Sequence, residues 1–218
     1  MDKIDQNPNY KKIYQIVKAK FNQTNYYCHG PFDETYFSLH VYETAKKLIY
    51  LSKKKCQKEP ILVAALLHDI GKTKLDDEKV FGSFLGKKSV KEWRKHAKFG
   101  LPITKKILNQ LGHSKEFIEQ VCYLIEHHDH RTKEEKTFEL KLLQDADLIA
   151  DWGLAGFIRP FLYGCKFRQS VLGSVDHIKK KSYAVSHEYQ QLNLNISKRL
   201  GKQKLSLQKK LYQEIIED

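Results

Sequence analysis

Residues Ile61 to Leu67 are apolar on every side of a helix, and the run closes on a histidine and an aspartate, His68-Asp69. A helix with no polar face has to be surrounded. This one, with Pro60 in its first turn and Gly71 as its stop, predicts a central helix with other helices packed round it. The rest of the chain supplies them. Tyr10 to Phe21 sets Ile13, Ile16, Val17 and Phe21 on one face, and Glu34 to Leu51 does the same with Phe37, His40, Val41, Thr44, Ala45 and Leu48. A helical segment runs through Trp93 and His96, and Pro102 opens the next one, which stops at Gly112. Ser114 caps a helix with Phe117, Val121, Leu124, Ile125 and His128 inward, and Thr137 caps another over 138–152. A glycine-punctuated apolar segment, 153–164, precedes two amphipathic helices, 175–199 and 203–216. Strand signals are weak, and no repeat or linker divides the chain. The expected fold is all-α, a single-domain helical bundle over 1–218.

Composition narrows the class. A chain of 218 residues, 41% of them hydrophobic, can bury a core without disulfides or a structural metal. Cys28, Cys56, Cys122 and Cys165 lie far apart and form no Cys-x-x-Cys pair, which predicts reduced thiols. No aliphatic run approaches the roughly 20 residues that span a bilayer. Met1 to Asn7 lacks the apolar stretch of a secretory signal, so a cytoplasmic protein without a membrane partner is expected. The net charge of +13 predicts attraction to polyanions, nucleotides and nucleic acid among them, without choosing one. The lysines are spread along the chain, and a solvated surface accounts for them equally well. Oligomeric state is not fixed by any of this.

The 10 histidines carry more information, because several fall on apolar stripes. His68 and Asp69 end a buried helix, where an imidazole and a carboxylate are costly to desolvate unless they bind something cationic. His40 sits on the apolar stripe of the preceding helix. Asp147 lies in line with Leu140, Leu143 and Ala150, although periodicity does not choose between it and Asp145. Ligand-type groups on three helices are what a metal site in a helical bundle requires. Imidazole and carboxylate without thiolate suit Mn, Fe, Co, Ni or Zn, and tolerate Mg.

His40, the run Ala65-Leu66-Leu67-His68-Asp69-Ile70-Gly71-Lys72 and Asp145-Ala146-Asp147 resemble, in order and spacing, the signature of the HD-domain superfamily of metal-dependent phosphohydrolases. The resemblance spans about residues 33–165. It implies metal ligation by His40, His68, Asp69 and Asp147, the second aspartate being the family's ligand and Asp145 a group behind it. His96, in Lys95-His96-Ala97-Lys98-Phe99-Gly100, and the pair His127-His128 resemble the added histidines of two-metal members such as cyclic-dinucleotide phosphodiesterases, so one or two ions are implied. The same stretch also resembles the HD portions of some tRNA nucleotidyltransferases. Gln144-Asp145-Ala146-Asp147-Leu148 with Gly153-Leu154-Ala155-Gly156-Phe157-Ile158-Arg159 is similar to a small bacterial group of nucleoside triphosphate pyrophosphohydrolases. In many family members the first histidine stands three residues before an Arg-Val pair, a position that Phe37 holds here. His40 with Thr44-Ala45 resembles instead the form found in inositol oxygenase, a di-iron enzyme of the same fold.

The resemblance implies that Asp69 is catalytic, and that Lys72 is both catalytic and a donor to a phosphate oxygen. Arg159 offers a guanidinium fork that matches a second phosphate. Adjacent helical residues point about 100° apart, so one of His127 and His128 is expected to face the substrate, and His128 is the candidate. The lysine-rich connection 73–92, broken by Gly82 and Gly86, is a candidate lid. His113, His130, His177 and His187 read as solvated, and His29 as a turn residue. Trp93, Trp152, Phe157 and Tyr163 read as core. The expected function is hydrolysis of a nucleotide or related phosphate ester, with nucleoside triphosphate to monophosphate and pyrophosphate as the sharpest form. A di-iron oxygenase and a non-catalytic nucleotide- or RNA-binding module are the alternatives.

Overall fold

The computed structural model describes residues 4, 7–24, 33–76, 90–132, 134–166 and 170–217, without the side chains of 90, 163–166, 177–186 and 216–217. Cys28, His29, the lid residues 77–89 with Gly82 and Gly86, and the side chains of Tyr163, Cys165 and His177 therefore lie outside the described residues.

The described residues form helices and no strand: α1 Pro8–Asn22, α2 Glu34–Ser52, α3 Lys58–Leu67, a 3-10 turn Ile70–Lys74, a helical turn Val90–Trp93, α4 Lys95–Gln110, α5 Lys115–His127, α6 Phe138–Ala150, α7 Leu154–Lys166, α8 Val171–Gln190 and α9 Asn195–Glu217. The helix starts follow the capping chemistry. Asp33 Oδ1 accepts from the amides of Thr35 and Tyr36, each at 2.9 Å; Ser114 Oγ accepts from Phe117 N and Thr137 Oγ1 from Leu140 N.

As its composition requires, α3 is central. It packs against α1, α2, α5 and α6, and every residue from Pro60 to Leu67 is buried. The buried cluster extends from Tyr10 through Tyr42, Leu66, Ile125 and Leu142 to Leu205. Because α9 packs on α2, α6 and α7, it adds Leu200 and Leu205 to this cluster.

Three boundaries differ from the sequence reading. Pro102 lies inside α4 rather than opening a helix: it sits on the exposed side, where a missing amide hydrogen bond is met by solvent. The break in the last pair of helices falls at 191–194, not at Gly201. Gly201 is helical, and its lack of a side chain serves packing, since a Cβ there would come 2.6 Å from Trp152 Cζ3. Gly71, read as a helix stop, lies inside the 3-10 turn, where a Cβ would meet His96 O at 1.9 Å. The turn that follows His68-Asp69 thus rests directly on the backbone of α4 at His96.

Candidate metal centre

Three histidines repeat one local arrangement. His68 Nδ1 lies 2.9 Å from Ala65 O, His96 Nδ1 2.7 Å from Trp93 O, and His128 Nδ1 2.6 Å from Ile125 O. In each case the acceptor is the carbonyl three residues earlier. A carbonyl cannot donate, so each Nδ1 carries the hydrogen and each Nε2 is the atom left for a proton or a metal. For His68 and His128, which follow the last residues of α3 and α5, the bonded carbonyl is one that a helix end leaves without an intrahelical partner.

The three Nε2 atoms converge on Asp69. His68 Nε2 is 3.1 Å from Asp69 Oδ2, while His96 Nε2 and His128 Nε2 are 3.3 and 3.9 Å from Oδ1. His96 and His128 face each other Nε2 to Nε2 at 3.3 Å. Asp147 Oδ1 stands 3.4 Å from His68 Nε2, and Asp129 Oδ2 stands 3.2 Å from His96 Nε2. His68, Asp69, His96 and His128 are all buried. His68 Nε2 has no hydrogen bond of its own.

Buried lone pairs that face one another and two or three carboxylates require a cation between them. Either protons or a metal can supply it. Burial works against a charged His68, but Asp69 and Asp147 outweigh it and hold its pKa well above the ordinary value. At His96 burial dominates and the pKa falls to about 4, leaving a neutral imidazole. Asp69 is desolvated, yet His68 and Lys72 keep it well below the usual carboxylate range; Asp129 is desolvated too, and His128 and His96 lower its pKa. Neutral imidazole and ionised carboxylate are the ligating forms; His96 and the two carboxylates hold them already, and a divalent transition metal would take the place of the proton on His68, so the residues fit such an ion. Two groups of three have ligand atoms close enough to share an ion: His68, Asp69 and His128, and His96, His128 and Asp129.

The expected ligand His40 stands elsewhere. One turn along α2, its Nε2 is 3.2 Å from Lys204 Nζ on α9, an ammonium that also donates to Ile149 O at 3.1 Å. Burial, then Lys204 and Arg159, push the His40 pKa down to about 4, against Asp151 and the Ala150 carbonyl. Lys204 is itself lowered to about 8 by burial and by Lys47. The α2 side chain against His68 is Phe37, with ring centroids 5.9 Å apart. His127 also falls outside both groups; it packs on Tyr123 and His130, because it points a third of a turn away from its neighbour.

Of the two aspartates on α6, Asp147 faces His68. Asp145 faces α9, accepting from Asn193 N and Nδ2, both at 2.8 Å, and from Leu194 N at 2.9 Å. The two expected phosphate donors are engaged. Lys72 Nζ, buried, lies 2.6 Å from Asp69 Oδ2 and 3.1 Å from Glu34 Oε2, over the Trp93 ring. Burial works against its charge, but these carboxylates raise its pKa. Arg159 bridges Glu34 Oε1 and Asp151 Oδ1, each at 3.1 Å, with its guanidinium over Phe37.

Asp129 and Arg131 were not singled out in the sequence. His128-Asp129 repeats His68-Asp69 at a second helix end, and that repetition was the available signal. Arg131, in the connection after α5, donates to Gln144 O at 3.0 Å and lies 3.5 Å from Asp147 Oδ2, while its buried Nη1 has no partner. It opens onto a cavity of about 600 Å³ beside the cluster, lined also by Trp93, Arg94, Asp129, Asp147 and His187.

No curated protein matches the chain. Among solved structures, Bacillus subtilis YpgQ in complex with ADP is 16% identical, with a TM-score of 0.65, over 96% of this chain and 97% of that one. An HD-superfamily hydrolase from Bacillus thuringiensis is 18% identical at a TM-score of 0.63, over 97% of both chains. A predicted HD superfamily hydrolase from an uncultured Thermotogales bacterium is 21% identical at 0.60, over 94% and 90%. These likenesses are of fold. The family model of the HD domain matches residues 37–151, the span from α2 to α6 that carries the cluster. With more than half of its length matched, the chain belongs to the HD-domain family and is a metal-dependent hydrolase.

Proposed function

We propose that the protein hydrolyses a nucleotide at a divalent-metal centre built on Asp69, and that its sharpest activity is cleavage of a nucleoside triphosphate to monophosphate and pyrophosphate. One observation carries the metal-centred part: three imidazoles, each with its Nδ1 hydrogen committed to a carbonyl, turn their Nε2 lone pairs on one carboxylate. A divalent cation bound there supplies Lewis-acid polarisation of a phosphoryl oxygen and makes hydroxide available near neutral pH. The chain's own residues do the rest. Lys72 holds Asp69 ionised and oriented from behind, and Trp93 and Phe37 keep that ion pair dry.

The nucleotide part rests on the neighbouring cavity. Its volume of about 600 Å³ lies within the range of small-molecule sites. Arg131 and Arg94 both line it, and a guanidinium suits an anionic oxygen. YpgQ, a structural relative, has been crystallised with ADP. The oxygenase alternative drew on His40, which is bonded to Lys204 here.

The test is a screen of nucleoside tri- and diphosphates, dinucleotides and sugar phosphates with Mn, Co, Ni, Zn or Mg, scoring phosphate and pyrophosphate release. Turnover of a nucleotide that chelator abolishes is expected, with Arg131→Ala raising KM about tenfold or more while kcat changes less. Release from sugar phosphates alone, or salt-sensitive RNA binding without turnover, would refute the nucleotide-hydrolase reading.

A further inference from the structure

The two candidate groups share His128, and Asp69 reaches from the first towards His96 of the second, but the two ends are not equivalent. At one end, His96 Nε2 has three donors around it: His128 Nε2 at 3.3 Å, Asp69 Oδ1 at 3.3 Å and Asp129 Oδ2 at 3.2 Å. Two imidazoles and two carboxylates meet there, and the two negative charges match a divalent cation. Both rings are held in the ligating tautomer by their own helical turns.

The other end is poorer. His68 is its one imidazole apart from the shared His128. The Asp69 oxygen facing it, Oδ2, is already 2.6 Å from the Lys72 ammonium. Asp147 offers Oδ1 to His68 at 3.4 Å, but its second oxygen is 3.5 Å from Arg131. A cation at this end meets carboxylates that two fixed positive side chains have partly neutralised. On the α2 side, the residue packed on His68 is Phe37, which has no lone pair to give.

We infer that the tightly held ion of this protein sits among His96, His128, Asp129 and Asp69, with Asp129 as a ligand, and that the His68–Asp147 end binds a second ion only weakly. The proposal deepens the metal-centred reading above and rests on it. It makes the second His-Asp dipeptide, 128–129, the anchor of the centre and the first, 68–69, the bridge to the weaker end. It also makes Phe37, with Lys72 and Arg131, a reason that the two ends differ.

The experiment is calorimetric titration of chelator-stripped protein with Co2+ or Mn2+, with circular dichroism to verify the fold. Asp129 and Asp147 are both partly exposed and lie at the edge of the core, so alanine at either position leaves the helices packed. The unmodified chain is expected to bind one equivalent tightly. Asp129→Ala weakens that ion by more than about tenfold, since even partners behind a ligand are worth 10–100-fold in affinity. Asp147→Ala, which removes neither a ligand of that ion nor a partner of one of its imidazoles, costs it less than about tenfold. Phe37→His adds a second tight equivalent. Survival of the tight ion in D129A, or its loss in D147A alone or together with D129A, overturns the placement. Failure of F37H to add an equivalent overturns the account of the weak end. Absence of any tight ion in the unmodified protein sinks the metal-centred reading itself, a separate outcome from the other two.

Discussion

At the scale of single residues, the centre was legible wherever a polar group had to be buried. His68, Asp69 and His128 announce themselves on apolar stripes or at the end of a buried run, where an unsatisfied group is costly; His96, and Asp147 in preference to Asp145, were marked by the family resemblance, and the structure gathers all five. His40 satisfied the same rule and still lies outside, because burial demands a partner without naming it. Its partner, Lys204, is 164 residues away, beyond the reach of any local pattern. Periodicity also treats positions one helical turn apart as the same face, so it could not prefer His40 or Phe37. The assignment of His40 to Lys204 has a pH signature. The folded protein holds this imidazole neutral, with a pKa of about 4 against an ordinary 6.5. Between those values the unfolded chain takes up the proton first, so stability is fully present above pH 6.5 and is lost as the pH falls towards 4. Denaturant unfolding at pH 4.5 and pH 7 should show His40→Gln spared a loss on the order of 2 kcal/mol that the parent suffers.

At the scale of elements, helices with a capping residue or an apolar stripe were read close to their true bounds. Those decided by tertiary contact were not. Gly201 reads as a break, but it stays helical because the Trp152 ring fills the space its Cβ would need. The true break at 191–194 has no local cause: the Asp145 carboxylate on α6 gathers the amides of Asn193 and Leu194 just before α9. Replacing Asp145 by alanine leaves those amides without their charged acceptor and should cost about 2–4 kcal/mol. A fall in melting temperature of about 5–15 °C is expected for a chain of this size. Metal affinity should hold, since Asp145 faces away from the cluster. Thermal unfolding and metal titration on the same variant test both halves of that expectation.

At the scale of the whole molecule, the all-helical architecture followed from the absence of strand patterning and from α3, a helix that must be surrounded. No helix of the described residues is long and apolar enough to cross a membrane. The cluster draws on the end of α3, the start of α4, the end of α5 and the middle of α6, so an ion bound among them ties together elements remote in sequence. At 100 times its dissociation constant such an ion adds about 2.7 kcal/mol to stability. Thermal scans with and without Co2+ should therefore differ by about 5–10 °C, and a chelator should reverse the gain. Each imidazole of the centre is oriented by the carbonyl three residues before it. Its aim is thus settled inside a single helical turn, before the chain has closed on itself. Such a four-residue unit can be carried from one scaffold to another with its chemistry intact. The loops that join these units are left free to lengthen or drift, so that the spans between the histidines can vary while the donor set stays constant.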